Sequence, residues 1–384
     1  MTKRTKRTII WSITGVLIAI LAVAAYYFIA IYNQVDKFQK KGADSPFYNV
    51  QPVETKKEPE PPKWEGTERV NILLMGVDAR GLKKGEIPRS DTMMVASVDP
   101  VEKKAYLFSI MRDTYTKIPG HGSDRINGAI TRGPNKAMET VSELLGIPIQ
   151  YYVYTDFQGF IELVDAIGGV DFYVEKDMRY TSRADNHEYD IDLKKGQQHL
   201  DGKSALQYVR FRHDALSDYT RTERQRNFLK AVAEKMISTT SIMKLPTILE
   251  KVNPYIDTNL TVNDMWKLAT VAYDSKMVAS EQIPPMKLLV EKNIGGSEVL
   301  VVRNEDDLKE FVQEVFSAPE EPEEPENATD SDPAGTGSAD AGKGTSTSTG
   351  TGSGAGASTG STADGGASAR SSSGSPPAAN GLQN

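Results

Sequence analysis

The longest uncharged stretch of the sequence lies near its N-terminus and limits where a folded domain can begin. From Thr8 to Gln34 the chain carries no charged residue and is rich in Ile, Leu, Val and Ala. A helix needs about 20 apolar residues to span a bilayer core, so this stretch is long enough. A cleaved signal peptide is the alternative, but the run is long for one and no convincing small-x-small site follows it. The sequence therefore predicts a transmembrane anchor over residues 8–34.

The charges on the two sides of this stretch predict its orientation. Residues 1–7 hold Lys3, Arg4, Lys6 and Arg7 without any acidic residue, whereas residues 36–44 are close to neutral. Positively charged flanks stay on the cytoplasmic side of a membrane. We therefore expect residues 1–7 in the cytoplasm and the remainder of the chain outside the cell.

The two segments that flank the central part of the chain are unsuited to a packed core. Residues 35–65 are charged and rich in proline, which predicts an extended spacer. Residues 317–384 contain a Pro/Glu stretch and then a Gly/Ser/Thr tract, which predicts a disordered tail. One domain is expected between them, over residues 66–316.

Charge and cysteine content exclude several classes of function. The formal net charge is -7, but the segment from Ser317 onward alone contains nine acidic and two basic residues, which leaves the rest neutral. Nucleic-acid binding needs a clustered basic face, and here each basic cluster is interleaved with carboxylates. The chain has no cysteine, so disulfides, thiolate nucleophiles and cysteine zinc sites are excluded.

Strand-like and helix-like runs alternate through the central segment. Apolar runs predict strands at residues 70–77, 92–98, 105–110, 149–154 and 170–174. Gly133-Pro134 and Gly146 bound one predicted helix, and Asp156 caps another that ends at Gly168-Gly169. This alternation predicts an α/β fold with a central sheet and helices on both of its faces.

Arginine and aspartate recur where predicted strands and helices end or begin. The motifs are Asp78-x-Arg80, Arg89-Ser90-Asp91, Arg112-Asp113, Arg210-x-Arg212 and Arg221-x-x-Arg224-Gln225. The planar fork of arginine matches phosphate oxygens, and carboxylates hold the hard cation that accompanies polyphosphate. Charged residues also follow strands simply because strands end at the surface, but several such motifs together favour a ligand site. We expect Asp78 and Asp91 to bind Mg²⁺ or Mn²⁺ there.

A capping box, Thr220-x-x-Glu223, predicts the start of a long helix. That start would place Arg221 and Arg224 in the first turn, where the helix dipole disfavours cations unless an anion is bound. Pairing of an arginine with Asp218 is the alternative, and both can hold at once. Arg226 and Lys230 lie nearer the opposite helix face and are expected to be solvated.

These motifs together resemble the LytR-CpsA-Psr family of cell-wall glycopolymer transferases. The resemblance is carried by Asn71 to Arg80, Arg89 to Thr92, Ser109 to Thr114, Phe160 to Val170 and Tyr208 to Gln225, and it covers residues 69–236 closely. The chain departs from the family pattern at Met111, where proline is common, and in the loop of residues 83–88. The missing proline predicts a less rigid hold on Arg112.

The resemblance implies a mixed β-sheet with helices on both faces that enclose an apolar pocket for a polyprenyl chain. It implies that the protein transfers a glycopolymer, such as teichoic acid or capsular polysaccharide, from its polyprenyl-pyrophosphate carrier to peptidoglycan. A phosphodiester would form with the help of Mg²⁺, at the surface of a Gram-positive bacterium. The residues implied in pyrophosphate binding are Arg80, Arg89, Arg112, Arg210, Arg212, Arg221, Arg224 and Gln225, with Asp78 and Asp91 as metal ligands. The implied catalytic residues are Arg112, Asp91 and Asp113. Asp91 or Asp113 would accept the proton of the acceptor hydroxyl.

Three other functions are alternatives to glycopolymer transfer. A non-catalytic binder of polyprenyl phosphates would keep the arginines yet tolerate loss of a metal-binding carboxylate. A lipid pyrophosphatase would use the same site with water in place of the sugar hydroxyl. A DNA-binding regulator is disfavoured by the anchor and by the lack of a basic stripe.

Overall fold

Helices account for the N-terminal segment and for much of the domain that follows it. The computed structural model describes residues 3–50, 61–83, 85–181, 187, 189–213 and 217–318. The α-helices are α1 (Lys3–Asp36), α2 (Pro134–Leu145), α3 (Phe157–Ala166), α4 (Gly202–Arg210), α5 (Ser217–Met236), α6 (Thr239–Met243), α7 (Leu245–Val252), α8 (Val262–Asp274) and α9 (Glu305–Ser317). The predicted tail lies outside the described residues from residue 319 onward, as do residues 51–60 of the predicted spacer.

Among the described residues, the strands form one large sheet and three small ones. They are β1 (Val70–Val77), β2 (Ser90–Asp99), β3 (Lys104–Ile110), β4 (Thr114–Ile118), β5 (Gly122–Arg125), β6 (Tyr151–Asp156), β7 (Val170–Val174), β8 (Met178–Tyr180), β9 (Ile191–Leu193), β10 (Gly196–Leu200), β11 (Ile256–Thr258), β12 (Lys276–Ile283), β13 (Leu289–Ile294) and β14 (Ser297–Val302). The large sheet has the order β11-β6-β1-β2-β3-β12. Strand β1 is antiparallel to β2 and parallel to β6, so the sheet is mixed.

Helices cover both faces of the large sheet. On one face Leu73 and Met75 of β1 share a buried cluster with Val141 of α2 and Val312 of α9. On the other face, helices α3, α4 and α5 form a second cluster around Phe228. This arrangement confirms the predicted α/β fold with a mixed sheet between helices.

The local signals in the sequence act as expected at several element boundaries. Asp156 accepts a hydrogen bond from the backbone N–H of Gly159 at the start of α3. Helix α2 begins at Pro134 and ends before Gly146, which adopts a left-handed conformation at φ 68°. Glycine takes that conformation without the steric strain of a Cβ atom. Strand β1 spans the predicted residues 70–77.

The segment after helix α1 differs from the prediction of an extended spacer. Residues 37–50, here called the juxtamembrane segment, lie against the domain where they follow α1. The Phe47 ring lies 4.9 Å from that of Tyr154, and the Ser45 hydroxyl donates to Asp257 Oδ2 over 2.8 Å. Phenylalanines within this segment have apolar area to bury, which outweighs the extended tendency of a charged linker.

Asp257 is the buried carboxylate to which the juxtamembrane segment attaches. Its side chain also accepts a 2.5 Å hydrogen bond from the Tyr152 hydroxyl. Burial raises the pKa of Asp257 above its ordinary value, although the hydrogen bonds from Tyr152 and Ser45 act to lower it. Strand β11, which carries Asp257, is thus tied both to β6 and to the segment that leaves the anchor.

We expect the variant Gly202→Ala to destabilise the domain by about 1–3 kcal/mol. A Cβ atom at Gly202 would lie 2.3 Å from the carbonyl oxygen of Ile161, and backbone cannot move aside as a flexible side chain does. Urea denaturation measures the loss, with Lys203→Ala on the same helix as the matched control. Equal midpoints for the two variants would show that α3 and α4 can separate at no cost.

Candidate active site

A deep pocket lies between the large sheet and helices α3, α4 and α5. Its volume is about 610 Å³. Most of its wall is apolar and comes from the sheet and these helices, including Leu74, Met94, Val153, Phe157, Phe160, Leu163, Leu206, Val209, Leu229 and Ile256. Charged side chains line the pocket as well, namely Asp78, Asp91, Arg112, Asp156, Arg210, Arg212 and Arg221. The pocket therefore offers apolar surface and cationic groups to one ligand.

Strand topology brings together Asp78, Asp91 and Arg112, which are distant in sequence. Asp78 follows the end of β1, and Val77 at that end pairs with Ser90 at the start of β2. Strand β3 is antiparallel to β2, so its end at Ile110 lies at the same edge of the sheet. Each of these three charged residues thus lies at one sheet edge because neighbouring strands begin or end there.

Arg112 is the centre of an ion-pair network. Its Nη1 lies 2.6 Å from Asp91 Oδ1, and its Nε lies 3.3 Å from Asp218 Oδ2 and 3.4 Å from Asp113 Oδ2. Burial alone would lower the pKa of Arg112, but the surrounding carboxylates raise it above its ordinary value. The guanidinium is therefore a permanent cation at the pocket wall.

The backbone around Arg112 is anchored without the proline that the family commonly has. The N–H of Met111 donates to the Ile283 carbonyl over 3.4 Å, and the Arg112 carbonyl accepts from Asn127 N over 3.3 Å. The Met111 side chain is buried. Hydrogen bonds to two neighbouring segments thus fix the backbone at Arg112, where the sequence has no proline to do so.

Arg212 approaches the same carboxylates from the end of α4. Its Nε lies 3.6 Å from Asp218 Oδ1 and its Nη2 lies 4.0 Å from Asp91 Oδ1. Burial and the neighbouring Arg112 lower the pKa of Arg212, although the carboxylates oppose this. A second cation beside Arg112 raises the electrostatic cost of the site without a ligand, and an anion would reduce it.

Arg221 presents a buried donor at the pocket. Its side chain is 3% exposed, with Nη2 at 3.4 Å from Asp218 Oδ2. Nη2 also donates to the backbone carbonyl of Asp91 over 3.4 Å. Nε is buried and has no hydrogen-bond partner among the described residues. A buried donor of this kind costs stability unless something accepts its hydrogen bond.

The predicted start of the helix that carries Arg221 is wrong. Helix α5 begins at Ser217, so Thr220 lies inside it and Arg221 lies in its second turn. Asp218 occupies the first turn, where a carboxylate is favoured by the helix dipole. The position of Arg221 and Arg224 in α5 therefore does not call for a bound anion, and Arg221 forms the alternative ion pair with Asp218.

Asp78 and Arg80 form a bidentate pair beside the pocket. Arg80 Nε lies 2.7 Å from Asp78 Oδ1, and Nη2 lies 2.5 Å from Oδ2. Burial would raise the pKa of Asp78, but the hydrogen bonds from Arg80 lower it below its ordinary value. Two guanidiniums contact the Tyr189 ring, with Arg80 at 4.3 Å and Arg210 at 5.2 Å from its centroid.

The remaining predicted site residues are placed differently. Gln225 lines the pocket and donates to the Val209 carbonyl over 3.2 Å. Arg224 is buried and lies 2.6 Å from Glu175. Arg89 is 44% exposed and lies 3.7 Å from Asp124, while Asp113 lies 3.1 Å from Arg125. The structure thus gathers Asp78, Asp91, Arg112, Arg210, Arg212, Arg221 and Gln225 around one pocket, whose wall does not include Arg80, Arg89, Asp113 or Arg224.

Sequence reasoning named Asp218 only as an alternative partner of one arginine, and it missed the burial of Arg226. Asp218 forms ion pairs with Arg112, Arg212 and Arg221. Arg226, expected to be solvated, is instead 6% exposed and donates to the Ser109 hydroxyl. Helix α5 packs against β3 on that side as well, so both of its faces are covered. Lys230 is exposed, as expected.

The carboxylates Asp78 and Asp91 at the pocket are oxygen donors of the kind that Mg²⁺ binds. Asp78 and Asp91 both line the pocket, although each carboxylate also pairs with an arginine. Mg²⁺ typically keeps several waters and takes one or two carboxylates plus substrate phosphates. No cluster of three or more His, Asp or Glu side chains suited to a metal occurs within the described ranges. Two carboxylates therefore suit a metal shared with a phosphate ligand better than a metal held by protein alone.

Comparison with known proteins decides the family. The model of the LytR_cpsA_psr family matches residues 25–315. The chain belongs to this family. The resemblance drawn from the arginine and aspartate motifs is thereby confirmed.

Relatives and solved structures of this family agree with the fold. Regulatory protein MsrR of Staphylococcus aureus (strain COL) is 32% identical over 255 residues, which cover 64% of this chain and 75% of that protein. The polyisoprenyl-teichoic acid–peptidoglycan teichoic acid transferase TagU of Enterococcus faecalis (strain ATCC 700802 / V583) is 38% identical over 205 residues, or 53% of this chain and 65% of that one. The structure of family protein YwtF (TagT) with bound octaprenyl pyrophosphate lipid has a TM-score of 0.51 and 27% identity, covering 70% of this chain and 96% of that chain.

Helix α1 is long and apolar enough to cross a membrane. Its residues Arg4–Asp36 have a mean hydropathy of 2.3 over the most apolar window, and none of that window is buried in the protein. An exposed helix of this length and composition is suited to a bilayer. With relatives in Gram-positive bacteria, this helix indicates a membrane-anchored protein.

Proposed function

We propose that this protein transfers an anionic glycopolymer, of the teichoic acid or capsular polysaccharide type, from a polyprenyl-pyrophosphate carrier to peptidoglycan. The main support for the proposal is that four arginines line an apolar pocket of about 610 Å³. An isoprenoid chain matches the apolar wall, and a diphosphate matches guanidinium forks. The name of TagU and the lipid described with YwtF (TagT) support the same ligand class.

The arginines would bind and orient the diphosphate. Arg112, Arg212 and Arg221 approach from different elements, so together they can contact several oxygens. Phosphoryl transfer depends mainly on positioning and on stabilising the charge of the transition state. Arg221 Nε would gain an acceptor on binding, which the described residues do not supply.

The reaction itself forms one bond and breaks one. The acceptor hydroxyl oxygen on peptidoglycan attacks the phosphorus that carries the glycopolymer, and the bond from that phosphorus to the polyprenyl phosphate breaks. The hydroxyl proton passes to a carboxylate, and the two candidates are Asp91 and Asp113. Asp91 lines the pocket, and Asp113 forms an ion pair with Arg112. Mg²⁺ or Mn²⁺ at Asp78 and Asp91 would neutralise charge on the diphosphate when bound.

This function requires the domain outside the cell, and we propose that topology. The positively charged residues 1–7 would remain in the cytoplasm. A reporter enzyme that is active only outside the cytoplasm should therefore be active when fused after residue 318. Activity only of a cytoplasmic reporter at that point would contradict the topology.

Lipid binding provides the first test, and we expect a block of the apolar wall to abolish it. Leu163 lies on the pocket wall, so Leu163→Trp would fill space that an isoprenoid chain needs. Gln158→Trp adds the same side chain to an exposed position of the same helix and is the matched control. Mass spectrometry of lipids that co-purify with the protein should find polyprenyl phosphates with the control and at least about tenfold less with Leu163→Trp. Equal amounts with both variants would place the lipid elsewhere.

A binding or regulatory role is the second candidate, because MsrR is named a regulatory protein. A non-catalytic binder would retain lipid yet form no product. A lipid pyrophosphatase would release the glycopolymer phosphate into solution. Product analysis with and without peptidoglycan oligomers distinguishes both from transfer.

A further inference from the structure

Two exposed apolar surfaces of the domain lie beside the membrane anchor. Ile242 and Met243 of α6 are 45% and 73% exposed, and Trp266 and Tyr273 of α8 are 56% and 69% exposed. On α8 the exposed positions 266, 269, 270 and 273 form a single stripe without charge. Clustered apolar side chains on a surface mark a site of interaction with a partner or a membrane.

Both surfaces contact helix α1 at the same height. The Tyr27 hydroxyl donates to the backbone carbonyl of Ile242. The Phe28 ring lies 5.7 Å from that of Trp266 in an edge-to-face arrangement. Consecutive residues of a helix point about 100° apart, so α6 and α8 flank α1 on different sides at one turn.

The end of α1 is fixed to the domain directly below these contacts. Ile31, Val35 and Phe38 are buried at intervals of four and three residues, so one stripe of the chain packs inward. Asn253 Nδ2 donates to the Gln34 carbonyl over 2.8 Å, and Gln39 Nε2 donates to the Asn259 carbonyl over 3.0 Å. The anchor and the domain therefore keep one relative height instead of being joined by a loose spacer.

The position of the bilayer follows from the charges on α1. Arg7 is the last charged residue before the apolar stretch, and a hydrocarbon core takes about 20 helical residues. The core therefore ends near residue 28, which is the turn that contacts Ile242 and Trp266. Tryptophan and tyrosine are favoured at this boundary because their rings are apolar and carry a polar atom. The exposed Lys244 and Lys251 nearby would be attracted to anionic headgroups.

We propose that the exposed residues of α6 and α8, namely Ile242, Met243, Trp266 and Tyr273, insert into the headgroup region of the bilayer beside α1. This membrane-facing surface rests on the anchor and not on the proposed reaction. Its consequence is a fixed distance between the bilayer and the pocket, because Ile256 of the pocket wall adjoins Asp257, which binds the juxtamembrane segment. A lipid-linked substrate would then reach the pocket from the adjoining leaflet.

Spin labels can test this surface cleanly because the chain has no cysteine of its own. The single variants Met243→Cys and Thr270→Cys place a nitroxide on α6 and on α8. The matched control is Ile294→Cys, which places one at an exposed position of β13 in the four-stranded sheet. The full chain is reconstituted in nanodiscs of phosphatidylglycerol and phosphatidylethanolamine. We expect labels at 243 and 270 to collide more with oxygen than with a water-soluble nickel complex, and the label at 294 to show the reverse.

Two outcomes would overturn the proposal. Nickel accessibility at 243 and 270 equal to that at 294 would show that the surface faces water. Dipolar broadening between labels on two copies would show that a second molecule of the chain covers it. Transfer activity is measured on the same nanodiscs, and its absence would count against the proposed function while the accessibility ratios still decide the position of the surface.

Discussion

The variant Arg112→Ala should lose transfer activity by about a hundredfold or more while the domain stays folded. Arg112 is the residue through which Asp91, Asp113 and Asp218 are joined, and it also lines the pocket. Removing it would take a cation from the proposed diphosphate site and would leave the three carboxylates without the guanidinium that neutralises their charge. Both changes disfavour a transition state that carries negative charge.

A lysine at this position separates the two effects. Arg112→Lys keeps the charge but not the planar fork, so it should restore part of the carboxylate network and little of the catalysis. The initial rate of glycopolymer transfer to peptidoglycan oligomers measures the effect. Arg179→Ala, which removes an exposed arginine paired with Asp192, is the matched control and should keep full activity. Undiminished transfer by folded Arg112→Ala would remove Arg112 from the site.

The second large effect is expected for Asp91→Asn, which should also reduce transfer by about a hundredfold. The amide keeps the size of the side chain but removes its charge, so the 2.6 Å ion pair with Arg112 is weakened. The same change weakens a metal site at Asp78 and Asp91. Transfer rates over a range of Mg²⁺ concentrations distinguish these two roles.

The metal role predicts a specific pattern in that titration. If Asp91 binds Mg²⁺, the concentration needed for half-maximal activity should rise about tenfold or more in Asp91→Asn. If Asp91 only holds Arg112, the maximal rate should fall and the half-maximal concentration should not change. Glu162→Gln, on helix α3 beyond the ion-pair network, is a charge-matched control. Full activity of Asp91→Asn at every Mg²⁺ concentration would contradict both roles.

Much of the fold was predictable because its signals are local. Strand β1 is an apolar run with glycine and aspartate at its end, and Asp156 and Gly146 bound helices by rules that depend on adjacent backbone groups. The start of α5 was not predictable in this way. Thr220 and Glu223 satisfy the pattern of a capping box, but Ser217 and Asp218 extend the same helix by one turn.

The features that the sequence did not reveal depend on contacts between distant residues. Ser45 and Asp257 are far apart along the chain, so nothing near either residue indicates that the juxtamembrane segment packs on β11. Arg226 was expected to be solvated because it lies nearer the face of α5 opposite Arg221, whereas that face packs against β3 and Arg226 donates to Ser109 there. In the site, the motifs placed arginines near carboxylates, but only the packing of helices against the sheet showed that Arg112 and Arg212 share Asp91 and Asp218.

The most direct test of the proposed function is transfer by the purified full chain in nanodiscs. The substrates are a polyprenyl-pyrophosphate glycopolymer with a labelled glycan and peptidoglycan oligomers, with Mg²⁺ present. We predict that the label enters peptidoglycan through a phosphodiester and that one polyprenyl phosphate is released for each bond formed. Label that stays on the lipid, or that appears only as free glycopolymer phosphate, would contradict transfer as the function of this site.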